Sequence, residues 1–282
     1  MSTALPPAVA PPPRSTTPDR PLLVHSPGAR VVRIPGPRPP AAPCARPAAD
    51  LEIAIPAYNE AARLPRTLHR TVEYLREQPW RSRVVVVDNG SCDGTAEVVR
   101  DFARADDGRV PVALIGCARP GKGAAVRRAL LSSRSRFVGF CDADLATPVE
   151  TLATAMEHLQ RGAAAVIASR HVSGARFVQS QPVGRRLGGA AFRLLARSVV
   201  RDVHDTQCGF KFFERQAVTH ALVSCRTTGF AFDVELLRQL QVAGWGVVEV
   251  PVAWSHADSS SFSPWRDGLT SFSAVLQLRW AS

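Results

Sequence analysis

The chain has 282 residues, 45% apolar and 21% charged, which suits one large domain with its own core. Its charge is lopsided: 35 Lys plus Arg face 24 Asp plus Glu, and the only lysines are Lys122 and Lys211. That balance points to an anionic partner. No uncharged apolar run nears the roughly 20 residues of a membrane span, and no signal-peptide stretch is expected. The six cysteines form no CxxC pair, so neither a zinc site nor a disulfide framework is indicated, and a reducing cytoplasmic setting is expected.

Residues 1–50 hold 14 of the 23 prolines and six arginines against two acids, with no sustained apolar period. They read as a disordered or extended tail, leaving 51–282 as the folded domain. LEIAIP (51–56) is a buried-strand pattern ending at Pro56. Residues 60–77 follow with Leu64, Leu68, Val72 and Leu75 at helical spacing. RVVVVD (83–88) is a continuous β-branched run, the pattern of a central parallel strand covered on both faces. A helix over 93–104 and a strand over 110–116 come next, then a helix opening after glycine at 121–133. RFVGFCDAD (136–144) is a strand ending in acids, 148–160 a helix with Thr147-Pro148 at its start, and 163–170 a strand. Alternation with short links predicts right-handed βαβ units in an open, mostly parallel sheet. Residues 184–201 form a basic amphipathic helix with Arg186, Arg193, Arg197 and Arg201 on one side. Helices near 214–223, over 232–244 and over 265–280 are expected, with a strand in 245–254.

Chemistry gathers where strands end, since open α/β sheets bind ligands at their carboxyl edge. Asp142 and Asp144 of CDAD lie two apart and, on an extended strand, face the same way. Such carboxylates repel unless a hard divalent cation sits between them, bridging to a diphosphate. Asp88 tips the next strand and can accept a hydrogen bond from a base N–H. Ala57, Tyr58, Asn59 and Glu60 follow the first strand, where backbone groups and a ring can hold a planar base. Gly121-Lys122-Gly123 opens a helix whose N-terminus favours an anion. Arg170 ends another strand, where it can clamp phosphate or make a salt bridge. In DTQCGFKFF (205–213), Phe210, Phe212 and Phe213 read as packing, and Cys208 as a small hydrophobe.

Taken in order, IPAYNE, VVDNGSCDGT, GKGAAV, CDADLAT, ASR, DTQCGFKFF and FDVELL resemble family-two glycosyltransferases of GT-A fold. The nearest type is that of dolichyl-phosphate β-glucosyltransferases and polyprenyl-phosphate mannosyltransferases, over about residues 51–280. The resemblance implies a Rossmann-like three-layer α/β fold with a mostly parallel sheet. It implies transfer of a hexose with inversion from a nucleotide sugar, UDP-glucose first and GDP-mannose second, to a polyprenyl or dolichyl phosphate. Pro56, Ala57, Tyr58, Glu60, Asp88 and Gly121 would hold the nucleotide. Asp142 would touch ribose or metal, and Asp144 would bind Mg2+ or Mn2+, with Gln207 as a further ligand. Asp233 occupies the catalytic acid position, while Lys122, Arg170 and Lys211 would face phosphates. The family often carries Asp where Asn89 stands and Gly where Leu145 stands.

Two readings of the 184–201 helix stay open: an arginine face of Arg186, Arg193 and Arg197 that captures a prenyl phosphate, with peripheral association on the inner face of the cell membrane as the setting, or an ordinary surface helix packed on the sheet. Transfer to a soluble hydroxyl acceptor is the other acceptor reading. A nucleic-acid-binding protein would fit the charge, but no finger, homeodomain or RNA-recognition signature is present. A nucleotidyltransferase would need a Gly-rich triphosphate loop where AYNE stands.

Overall fold

The structure, a computed structural model, describes residues 30–32, 49–177, 183–255 and 266–280. Its strands are β1 (Arg30–Val32), β2 (Leu51–Ala57), β3 (Ser82–Asp88), β4 (Val112–Gly116), β5 (Phe137–Cys141), β6 (Ala165–Ser169), β7 (Arg176–Phe177), β8 (Phe210–Glu214), β9 (Val247–Pro251) and β10 (Ala253–Trp254). Its helices are α1 (Leu64–Arg76), α2 (Thr95–Ala105), α3 (Lys122–Ser132), α4 (Thr151–Gln160), α5 (Val183–Arg197), α6 (Arg215–Ser224), α7 (Phe232–Val242) and α8 (Arg266–Trp280).

Eight strands form one sheet in the order β1-β9-β6-β8-β5-β2-β3-β4, and β10 pairs with β7 beside it. The β5-β2-β3-β4 block is parallel, as is β6-β9. The strand β8 runs antiparallel between β5 and β6, with Lys211 opposite both Phe140 and Ile167. The expected mostly parallel α/β sheet is therefore present, with an antiparallel strand inserted near its middle. The tail reading changes at one place: Arg30–Val32 pairs antiparallel with Val247–Glu249 at the sheet edge.

The β-branched run of β3 explains the three layers. Val84 and Val86 enter one core with α1, α2 and α4, while Val85 and Val87 enter another with α3, α5, α6, α7 and α8. A strand buried on both faces needs apolar residues at every position, and alternate residues serve opposite layers. The same alternation puts Phe212 in the first core and Phe213 in the second. It turns Lys211 toward the layer that contains α7.

Candidate active site

The tips of β2 and β3 are laced together. Asn89 N donates to Ala57 O at 2.9 Å, Asn59 N to Ser91 Oγ at 2.9 Å, and Cys92 N to Asn59 Oδ1 at 2.8 Å. Asn59 has φ +54, within reach of an asparagine. Pro56 and Ala57 are largely within the sheet, and Tyr58 stands 53% exposed beyond them. Asp88 is half-buried and takes the Ser91 amide at 3.1 Å, which closes the turn. Glu60 is buried and contacts Arg63 at 3.3 Å. Burial raises its carboxyl, Arg63 opposes this, and Asp144, Asp142 and Asp93 add to the rise.

The acids of CDAD sit differently from expectation. The strand β5 stops at Cys141, so Asp142 and Asp144 lie on the following turn rather than on one face of a strand. Leu145 carries φ +50, the left-handed conformation that a glycine at that position would enter without strain. The turn still brings both acids together: burial raises the Asp144 carboxyl and the Asp142 charge raises it further. Asp144 Oδ1 takes the Ala146 amide at 2.9 Å. Asp142 lies across Gly209, where an added Cβ would fall 1.8 Å from its Oδ2. With Thr147 and Trp254, these residues line a small cleft. Helix α4 begins at Thr151, later than the Thr147-Pro148 start, and Thr147 Oγ1 instead meets Cys208 Sγ at 3.4 Å. Burial pushes the Cys208 thiol up to about 11, in keeping with packing rather than nucleophilic use.

Lys122, at the first position of α3, places Nζ 2.6 Å from Asp142 Oδ1. Burial would depress its ammonium, but Asp142, Asp233 and Asp144 together hold it above the ordinary lysine range. Lys211 Nζ lies 2.6 Å from Asp233 Oδ1 and donates to Cys208 O at 2.6 Å. The Asp233 contact is an ion pair without the alignment of a hydrogen bond. Both ammoniums stand over the Phe140 ring, at 5.9 Å and 5.3 Å from its centroid. Asp142, Lys122, Asp233 and Lys211 thus form an alternating series of charges that starts at the cleft wall.

Two assignments are corrected by this arrangement. Lys211 is fully buried, so it is the counter-ion of Asp233 rather than a group facing an acceptor phosphate. Arg170 turns its fork onto buried Asp205, with Nε–Oδ2 at 2.7 Å and Nη2–Oδ1 at 2.8 Å, in place of an open phosphate clamp. Gln207 directs its side-chain NH2 to Thr206 O at 3.4 Å. Asp205 is itself seated by buried Glu249, which accepts from the His204 and Asp205 amides at 2.9 Å and 3.0 Å.

Arg193 and Arg197 act electrostatically on His171 together with Arg170. Burial lowers the His171 imidazole first, Asp205 opposes this, and the three arginines reinforce it. Arg186 lies in α5, but its side chain falls outside the described residues. Sequence reasoning missed Asp205 and Glu249 as anchors and the side-chain role of Asn89. The available signal was a charged or carboxamide side chain inside each apolar or turn segment.

Among the described residues, no three His, Cys, Asp or Glu side chains gather into a metal-holding group. None of the helices searched there is long and apolar enough to cross a membrane.

A family model described as Glycosyl transferase family 2 matches residues 52–222. The chain is 29% identical over 243 residues to the dolichyl-phosphate beta-glucosyltransferase of Dictyostelium discoideum, covering 82% of this chain and 74% of that one. It is 32% identical over 233 residues to the Homo sapiens protein of the same name, covering 77% and 71%. Among solved structures, glucosyl-3-phosphoglycerate synthase from Mycobacterium tuberculosis, in complex with Mn2+, UDP and glucosyl-3-phosphoglycerate, superposes with TM-score 0.63 at 18% identity, covering 83% and 81%. That likeness concerns the fold.

Proposed function

The chain belongs to glycosyl transferase family 2, and on that premise we propose that it moves glucose from UDP-glucose to a dolichyl or other polyprenyl phosphate, with inversion. It is a nucleotide-sugar-dependent hexosyltransferase; the particular sugar, nucleotide and acceptor are the proposal. The observation that carries it is the series Asp142–Lys122–Asp233–Lys211 that starts at the cleft wall, with ion-pair distances of 2.6 Å at both ends. The relatives named dolichyl-phosphate beta-glucosyltransferase support the choice of sugar and acceptor.

The carboxylates fit a divalent cation: burial raises the Asp144 carboxyl, the adjacent Asp142 charge raises it further, and a cation offsets both. Asp142 and Asp144 would hold Mg2+ or Mn2+. When bound, such an ion stabilises negative charge on the leaving diphosphate. The chain's own contribution begins with the exposed Tyr58 ring and half-buried Asp88 at the nucleotide base. Lys122, at a helix N-terminus, supplies fixed positive charge where the diphosphate departs.

Asp233 is 4% exposed and already paired. A sugar hydroxyl acceptor would need an accessible base. A phosphate monoester is already largely ionised at neutral pH, with a second pKa of about 6, and needs none. The burial of Asp233 therefore favours a phosphate acceptor, with Asp233 fixing Lys211 and steadying Lys122. Arg193 and Arg197, beside His171 and Arg170, are the cationic groups suited to that acceptor's phosphate. The test is an assay of purified protein with UDP-glucose or GDP-mannose, Mg2+ or Mn2+, and polyprenyl phosphate. Label from UDP-glucose entering the organic phase is expected; transfer from GDP-mannose alone would overturn the donor assignment.

A further inference from the structure

We propose that Asn89 is a positioning residue whose carboxamide latches the 117–121 loop and thereby sets Lys122 against the donor subsite. The inference rests on the donor reading above. Asn89 follows Asp88 at the tip of β3, and its side chain turns toward the neighbouring loop. Its Nδ2 donates to Cys117 O at 3.1 Å and to Arg119 O at 2.8 Å, while its Oδ1 accepts from Gly121 N at 2.8 Å. The partners fix the orientation of the amide: two carbonyls can only accept and a peptide N–H can only donate. With the main-chain bonds Asn89 N to Ala57 O at 2.9 Å and Cys117 N to Asp88 O at 2.8 Å, one residue ties three strand tips to the start of α3.

The latch continues past Gly121. That glycine has φ +112, and an added Cβ would stand 2.3 Å from Thr228 O. Ala124 N donates to both Gly121 O and Thr228 O, at 3.0 Å and 3.1 Å. The 226–228 segment is held in turn by Glu235 of α7, which accepts from the Arg226 and Thr227 amides at 2.8 Å and 2.7 Å. Helix α7 carries Asp233. A continuous set of hydrogen bonds therefore runs from the base-side turn, through Asn89 and the start of α3, to the helix of Asp233.

This role demands an amide. A carboxylate at position 89 has no donor and would face two carbonyl oxygens. Asn89→Asp keeps the shape and reverses the chemistry, whereas Asn89→Ala only removes it.

The experiment measures UDP affinity with Mn2+ by titration calorimetry for wild type, Asn89→Ala and Asn89→Asp, alongside hydrogen exchange of the 117–125 backbone. Affinity should fall in the order Asn, Ala, Asp, with Asn89→Asp weaker by about tenfold or more, the scale of one or two lost hydrogen bonds. Exchange in 117–125 should quicken while α1 stays protected. In a cycle with Lys122→Met, the two losses should be less than additive. Equal affinities with unchanged exchange at 117–125 would overturn the proposal. Faster exchange throughout, α1 included, would also overturn it, by making Asn89 a general stability residue. A wild-type protein that binds no UDP would refute the donor reading, and the exchange data would still decide the latch.

Discussion

Replacing Lys211 by methionine removes the ammonium that neutralises Asp233 while keeping most of the side-chain volume. At 2.6 Å the gross attraction is about 6 kcal/mol at an effective dielectric of about 20. Much of it is offset by desolvation, but leaving one partner alone costs about 3–5 kcal/mol. Lys211 is fully buried and Asp233 is 4% exposed, so water can replace little of the contact. For a domain of this size, roughly 2–4 °C per kcal/mol gives a fall of about 6–20 °C in Tm. The decisive form is a double-mutant cycle with Asp233→Asn, read by thermal and urea unfolding. The double variant leaves no unpaired charge and should recover about 2 kcal/mol or more relative to the sum of the singles. Strict additivity, or Lys211→Met unfolding with the wild type, would refute the buried pair.

Other outcomes are expected from the same geometry. Gly209→Ala should keep the fold, because the group it meets is the end of the Asp142 side chain, yet weaken Mn2+-dependent UDP binding; unchanged affinity in calorimetry would contradict the placement of Asp142. Asp205→Asn should destabilise by about 3–5 kcal/mol in urea unfolding, since it leaves the Arg170 fork without its carboxylate; a shift under about 1 kcal/mol would refute the pair. Burial raises the Glu52 carboxyl, with Arg83 and Ser133 opposing, so its folded-state pKa lies above the unfolded value. The stabilising effect of that shift is full below the unfolded pKa and lost as pH rises through the folded one. Glu52→Gln should therefore gain on the wild type as pH rises above the ordinary carboxylate range; urea midpoints that run parallel would exclude this. Changing Arg186, Arg193 and Arg197 together to Gln should weaken sedimentation with anionic liposomes while UDP binding persists; unchanged sedimentation would remove α5 from the acceptor site.

The parallel strands and their ligand-bearing tips were legible because each is a local pattern. Asp88 ends a strand and Lys122 opens a helix where the pattern placed them, while Asp142 and Asp144 keep to the end of their strand but on the turn beyond it. The inserted strand β8 was not legible in this way. Its FKFFE sequence pairs with β5 and β6, more than 40 residues upstream, and no local period announces an antiparallel partner. For Lys211 the family resemblance implies a phosphate as the neighbouring anion. The anion is instead Asp233, brought over by α7, and only tertiary packing reveals it. Arg170 left open a phosphate clamp or a salt bridge, and buried Asp205 decides for the latter. Asn89 stands in a turn motif where its backbone role is legible, but its side-chain partners come from a loop 28 to 32 residues on. The CDAD segment leaves the strand after Cys141, and Leu145 within the turn takes the left-handed conformation, which apolar run lengths do not encode.

The most direct measurement is the linkage of the lipid product. Protein, UDP-glucose, Mn2+ and polyprenyl phosphate would be incubated together, and the organic-phase product examined by proton NMR with phosphorus coupling. A glucose joined through its anomeric carbon to the lipid phosphate in the β configuration is the expected result. An α-linked product, or glucose appearing only in the aqueous phase, would contradict inverting transfer to a phosphate acceptor.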